Sequence, residues 1–175
     1  TLAGSAAANE ASPTGYAKNN GTTYANGVEI GTSVQTGNVD LLSSGGDISI
    51  KGYTNANTQL MMGIRNWSGS TINSGTGSIT MDGQAESCTG SITCHGLELS
   101  YSGGATTTVT SAKTSGTAIS MNGSSINSTS TDSTGITVWN PMTISATGGG
   151  DIVFNASAAS PNTTKDRKST RLNSS

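Results

Sequence analysis

Residues 63–83 read GIRNWSGSTINSGTGSITMDG, and the rest of the chain keeps rewriting this stretch. It holds three short apolar bursts: Gly63-Ile64 up to Trp67, Thr71-Ile72, and Ile79-Thr80-Met81. Each burst is closed by small or turn-prone residues and is too short for a helix. Their glycine and β-branched content predicts strands joined by turns.

Working backwards, Gly27-Val28-Glu29-Ile30 opens an earlier unit, Ser33-Val34-Gln35-Thr36 is its second burst, and Gly46 to Gly52 (GDISIKG) is its third. Working forwards, a unit opens at Gly96 with Leu97-Glu98-Leu99-Ser100-Tyr101. It continues through Thr108-Val109-Thr110-Ser111 and closes with Thr117 to Gly123 (TAISMNG). The last copy opens at Gly135 with Ile136-Thr137-Val138-Trp139, continues through Thr143-Ile144-Ser145-Ala146 and closes with Gly150 to Asn155 (GDIVFN). Four copies at 27–62, 63–95, 96–134 and 135–157 make a repeat architecture, with the length variation held in the connections. Residues 1–26 read as the remnant of a preceding rung plus a polar loop, TLAG at 1–4 matching the third-burst ending Thr80 to Gly83. Residues 158–165 read as a loop towards a next unit.

The pairs Ile48/Ile50, Ile79/Met81, Ile119/Met121 and Ile152/Phe154 alternate, so both members of each pair point to one face of a strand. Stacked in parallel, the copies would build vertical ladders: Val28, Ile64, Leu97, Ile136 from the first bursts and Val34, Ile72, Val109, Ile144 from the second. Trp67, Tyr101 and Trp139 would form an aromatic column. The expected fold is therefore all-β: a right-handed parallel β-helix (β-solenoid) of about four three-strand rungs, roughly 20 Å tall at about 4.8 Å per rung. Two short rungs per period, with Leu60, Ile92 and Ile126 as extra strands, fit less well because those residues sit at inconsistent offsets from the next glycine. A β-sandwich would not generate a three-part pattern in fixed order.

Composition agrees with a thin stacked core. Hydrophobic residues are 31% and aromatics 4%, less than an ordinary globular core uses, while charged residues at 10% are too few for an expanded polyelectrolyte. A net charge of −2 offers no basic footprint for nucleic acid, no apolar run is long enough for a membrane span, and no signal segment opens the chain. Residues 166–175, DRKSTRLNSS, crowd charge into a chain otherwise nearly free of it, and they look like a translated sequencing adapter. They are excluded from the fold reading, and a piece of a longer open reading frame is expected.

The units resemble the repeats of large secreted bacterial adhesins of the filamentous-haemagglutinin type. The residues that carry the likeness are the Gly-Ile and Gly-Val openings, Thr71-Ile72-Asn73-Ser74, and the G-x-I-x-[IM]-x-G closings at 46–52 and 77–83. The resemblance covers about Gly27 to Asn155. It implies export, a long fibre and binding through surface loops. The amino-terminal secretion module of such adhesins is not seen in this sequence.

The carboxylates line up poorly for catalysis. Asp47 and Asp151 precede third bursts, but the matching positions are Ser78 and Ala118. Asp82 has Lys51, Asn122 and Asn155 at its level, the chemistry of corners and turns. Gly148-Gly149-Gly150-Asp151 lacks the nine-residue recurrence of a Ca²⁺ turn. Cys88 and Cys94, without counterparts in the other units, are candidates for a small disulfide loop in an exported chain, and equally for two thiols. His95 has no second His or C-x-x-C partner to suggest Zn²⁺, and adjacent strand residues point apart, so a Cys94–His95 nucleophile is not expected; it reads as a loop residue. Thr71, Thr108 and Thr143, with Ser33, form a single hydroxyl column, less than a regular ice-binding face needs.

No catalytic, cofactor or metal residues are expected. The candidate partner surface is Trp67, Tyr101 and Trp139: a sugar-stacking or docking stripe if it faces outward, core if it faces inward. The expectation is a non-enzymatic shaft of a secreted or surface adhesin, its partners adjacent rungs and host or neighbour-cell glycans or proteins. The alternatives are a non-catalytic portion of a β-helix carbohydrate-active enzyme, or a glycan-binding rod.

Overall fold

The computed structural model describes residues 2–4, 14–17, 24–31, 39–56, 59–67, 69–88, 93–101 and 105–158. Regular structure among them is entirely β. The first strands are β1 (Leu2–Gly4), β2 (Thr14–Ala17), β3 (Tyr24–Ile30), β4 (Val39–Ser43) and β5 (Ile48–Thr54). Then come β6 (Leu60–Trp67), β7 (Ser70–Asn73), β8 (Ile79–Glu86), β9 (Thr93–Tyr101) and β10 (Thr107–Ser111). The last are β11 (Thr117–Ile126), β12 (Asp132–Val138), β13 (Met142–Ala146) and β14 (Asp151–Ala158).

Successive strands are dealt in rotation to three sheets, ordered β1-β4-β7-β10-β13, β2-β5-β8-β11-β14 and β3-β6-β9-β12. Every neighbour pair is parallel. This is a β-solenoid; from β3 to β12 the chain makes three turns, and β3–β5, β6–β8, β9–β11 and β12–β14 are its rungs. The antiparallel pairs of a sandwich do not occur among the described strands. Leu60 and Ile126 are the ends of β6 and β11 rather than extra strands; Ile92 lies outside the described residues.

The expected ladders are in register. Ile48, Ile79, Ile119 and Ile152 pair in sequence, as do Val28, Ile64, Leu97 and Ile136. Ile64, Ile72, Ile79 and Met81 are 0% exposed. The second-burst ladder differs at its base: Leu41 of β4, not Val34, lies beside Ile72, and residues 33–36 fall outside the described set. Val39-Asp40-Leu41 alternates as a strand should, and it enters five residues before the next corner, as Thr71-Ile72 does. Leu2–Gly4 also departs from expectation, since it pairs with β4 in the second-burst sheet. The third-burst partner of β5 is instead Thr14–Ala17, inside the stretch read as polar loop.

The unit glycines lie within strands rather than at their starts. Along β8 the inward positions are Ile79, Met81, Gly83 and Ala85. The first two belong to the main aliphatic core and Ala85 to a second core with Ala25, Ala56, Met61, Cys88 and Cys94. Between the cores, Gly27, Gly63, Gly96 and Gly135 of one sheet press backbone to backbone against Gly52, Gly83, Gly123 and Ala156 of another. A Cβ on Gly63 would stand 2.6 Å from the Gly83 carbonyl carbon, closer than side chains tolerate. The cross-section is thus pinched in two.

Corners are set by short polar side chains. Asn73 Oδ1 accepts the Gly75 amide at 2.8 Å, and Ser74 and Ser111 hydroxyls both donate to Gly77 O, at 2.6 and 2.7 Å. Such Asx-type bonds satisfy backbone groups that turn away from the ladder.

Candidate functional site

The densest polar constellation stands on the sheet β3-β6-β9-β12, two residues after each unit glycine. The register there is Glu29, Arg65, Glu98, Thr137: a negative, a positive, a negative and a neutral residue up the stack. Arg65 and Glu98 are 3% and 2% exposed, and Arg65 Nε lies 2.8 Å from Glu98 Oε2, an ion pair without the alignment of a hydrogen bond. Beside it, His95 Nδ1 is 3.4 Å from Glu98 Oε1 and His95 Nε2 is 3.4 Å from Asp132 Oδ2.

The aromatic column borders this charge row. Trp67 and Tyr101 meet edge to face at 5.0 Å, Tyr101 and Trp139 at 5.6 Å, both favoured geometries for ring quadrupoles. The Arg65 guanidinium carbon is 4.5 Å from the Trp67 centroid and 4.0 Å from that of Tyr101. A desolvated cation over such faces gains about 2 kcal/mol. Trp67 Nε1 donates to Glu29 Oε1 at 2.6 Å, and Trp139 Nε1 donates to Glu98 Oε1 at 3.1 Å. The same indole-to-carboxylate bond therefore recurs two rungs apart, each time reaching down one rung.

The column belongs to neither aliphatic core. Trp67 is 8% exposed, Tyr101 is intermediate and Trp139 is 51% exposed, so only the upper end offers a free aromatic surface. Glu98 has both oxygens engaged and is shut from solvent. Charges alternating at the glycine-plus-two position were the signal in the sequence for this cluster; they escape notice when carboxylates are sought as rows.

His95 and Cys94 correct the loop reading. Both lie in β9 and are fully buried, Cys94 in the second core and His95 on the other side against Glu98. Cys94 is bonded to Cys88, with a Cα separation of 6.1 Å. Glu86 accepts a short hydrogen bond from the Tyr53 hydroxyl.

The remaining predicted surface positions are simple ladders. Lys51, Asp82, Asn122 and Asn155 pair in order, Asn155 Nδ2 donating to Asn122 Oδ1 at 2.7 Å. Thr71, Thr108 and Thr143 share a column whose base is Asp40; Ser33 lies outside the described residues. Asp47 Oδ1 accepts the Ser78 amide at 2.6 Å and the Ser78 hydroxyl at 2.8 Å. The Ser78 amide, then its hydroxyl, hold the Asp47 carboxyl below its ordinary pKa. Among the described residues no group of three or more His, Cys, Asp or Glu is placed to hold a metal ion, and no helix is long and apolar enough to cross a membrane.

No protein-family model matches the chain, and neither a curated protein nor a solved structure matches it.

Proposed function

We propose that this chain is a structural shaft segment of a secreted or surface-attached bacterial adhesin of the filamentous-haemagglutinin-like kind, serving reach and display without catalysis of its own. The observation that carries the reading is the recurrence of the buried contacts from rung to rung, in the aliphatic ladders and the glycine pinch, with indole–carboxylate bonds added between alternate rungs. Side chains that could have formed a recessed reactive group are used to hold one rung on the next. The disulfide between Cys88 and Cys94 is in keeping with an oxidising, extracytoplasmic setting.

A glycan-binding rod is the second reading, favoured by one observation, the half-exposed indole of Trp139 at the end of the aromatic column. The partners under either reading are host or neighbour-cell glycans or proteins.

One experiment separates the readings. The purified chain is immobilised and offered a glycan panel and host cells, and in parallel is incubated with polysaccharides while reducing ends are counted. A shaft gives neither saturable binding nor cleavage. Saturable binding abolished by Trp139→Ala replaces the shaft with the glycan-binding rod, and new reducing ends replace it with an enzyme.

A further inference from the structure

The glycine pinch is directional. A Cβ placed on Gly52, Gly83 or Gly123 would collide with the carbonyl oxygen of Gly63, Gly96 or Gly135, the partner glycine one rung further on. The absent side chain in each rung is therefore the space into which the following rung's backbone fits. Register puts Ala156 of β14 directly after Gly123 in this series. Its backbone is seated at the pinch like its predecessors, for the Ala156 Cα is 2.9 Å from where a Cβ of Gly135 would stand. Ala156 does carry a Cβ, which projects to the place a following glycine carbonyl would take.

We propose that Ala156 ends the stack: its methyl denies the upper face of the fourth rung to any further rung of the same register, whether from this chain or from a second copy. Unprotected solenoid ends are templates for runaway association. One methyl at the point of closest backbone approach is an economical block, because the approach leaves less room than a Cβ needs. A shaft built from such units would have a joint at this level. The proposal does not depend on the adhesin reading, since it concerns which backbone can pass Ala156.

The test inserts a duplicate of residues 127–158 after Ala158, with tryptophan in the duplicate changed to Phe, in the native background and in Ala156→Gly. Acrylamide quenching then reports mainly on Trp139, because Trp67 is already covered, and the urea m-value reports added buried surface. With Ala156 the insert should leave the quenching and m-value of the parent unchanged. With Ala156→Gly the quenching of Trp139 should be lost and the m-value should rise. Equal shielding in both backgrounds overturns the proposal, and so does shielding in neither. Ala156→Gly without the insert, followed by urea, establishes that the background folds, and Ala156→Ser should behave as Ala156 does.

Discussion

The indole nitrogen of Trp139 donates to Glu98 Oε1 at 3.1 Å across 41 residues of sequence, and the same carboxylate holds Arg65. Glu98 thus links three rungs: its own, the one below through Arg65 and the one above through Trp139. Removing one member of a buried pair leaves the other charged and unsolvated, which costs about 3–5 kcal/mol. Glu98→Ala should therefore lower stability by about 3 kcal/mol. Glu29→Ala breaks the equivalent bond to Trp67 at an exposed carboxylate and should cost under about 1 kcal/mol. Urea midpoints of the two variants check the order; equal losses would show that burial of Glu98 does not govern its contribution.

The pinch is tested by comparing two glycines. Gly83→Ala forces a methyl against the backbone of Gly96 and should cost about 3 kcal/mol or more, as overpacking without room to relax does. Gly116 has φ +65° but open space where a Cβ would go, so Gly116→Ala bears only the left-handed strain of about 1 kcal/mol. Thermal unfolding of both would reveal whether close approach or backbone conformation matters more.

Cys88 and Cys94 close a loop across a separation of 6 residues beside the second core. Loop-closure entropy for so short a ring gives about 2 kcal/mol. The double Cys88→Ala, Cys94→Ala variant should lose about that amount and show no further loss when a reducing agent is added. Native protein should lose stability only on reduction. A reductant effect that persists in the variant would assign the loss to something other than this bond.

Asp47 gives a pH dependence of known sign. Its carboxyl is held below the ordinary value of 3.8, chiefly by the Ser78 amide, so the native state favours its ionised form. The stabilisation is fully present above pH 3.8 and is lost as pH falls through the lower folded-state value. The stability gap between native protein and Asp47→Asn should be constant near neutrality and shrink below pH 3.8. Asp47 is exposed, so the gap is small, and chemical unfolding at matched pH is the suitable measurement.

The aliphatic ladders were legible from residues 48–50, 79–81, 119–121 and 152–154 because strand alternation is a local property, and like copies stacked in parallel bring like residues into register. The charge row at Glu29, Arg65 and Glu98 was written in the same repeat position, but its meaning lay across rungs. Burial of His95 could not be read from its own strand alone, since Asp132 of β12 stands against it as well as Glu98 of β9. The placement of Leu2–Gly4 beside β4 turned on pairing, not on the similarity of TLAG to a later strand.

Spacing along one strand and repetition along the chain were enough for the three-strand period, the parallel stack and the inward residues of the first and third bursts. At the base of the second-burst ladder they pointed to Val34, and it is Leu41 that lies beside Ile72. Only the packing of one sheet on another brings Gly63 against Gly83 and sets two cores on either side of that contact. Those are distances between backbones of different sheets, and no spacing within one strand specifies them.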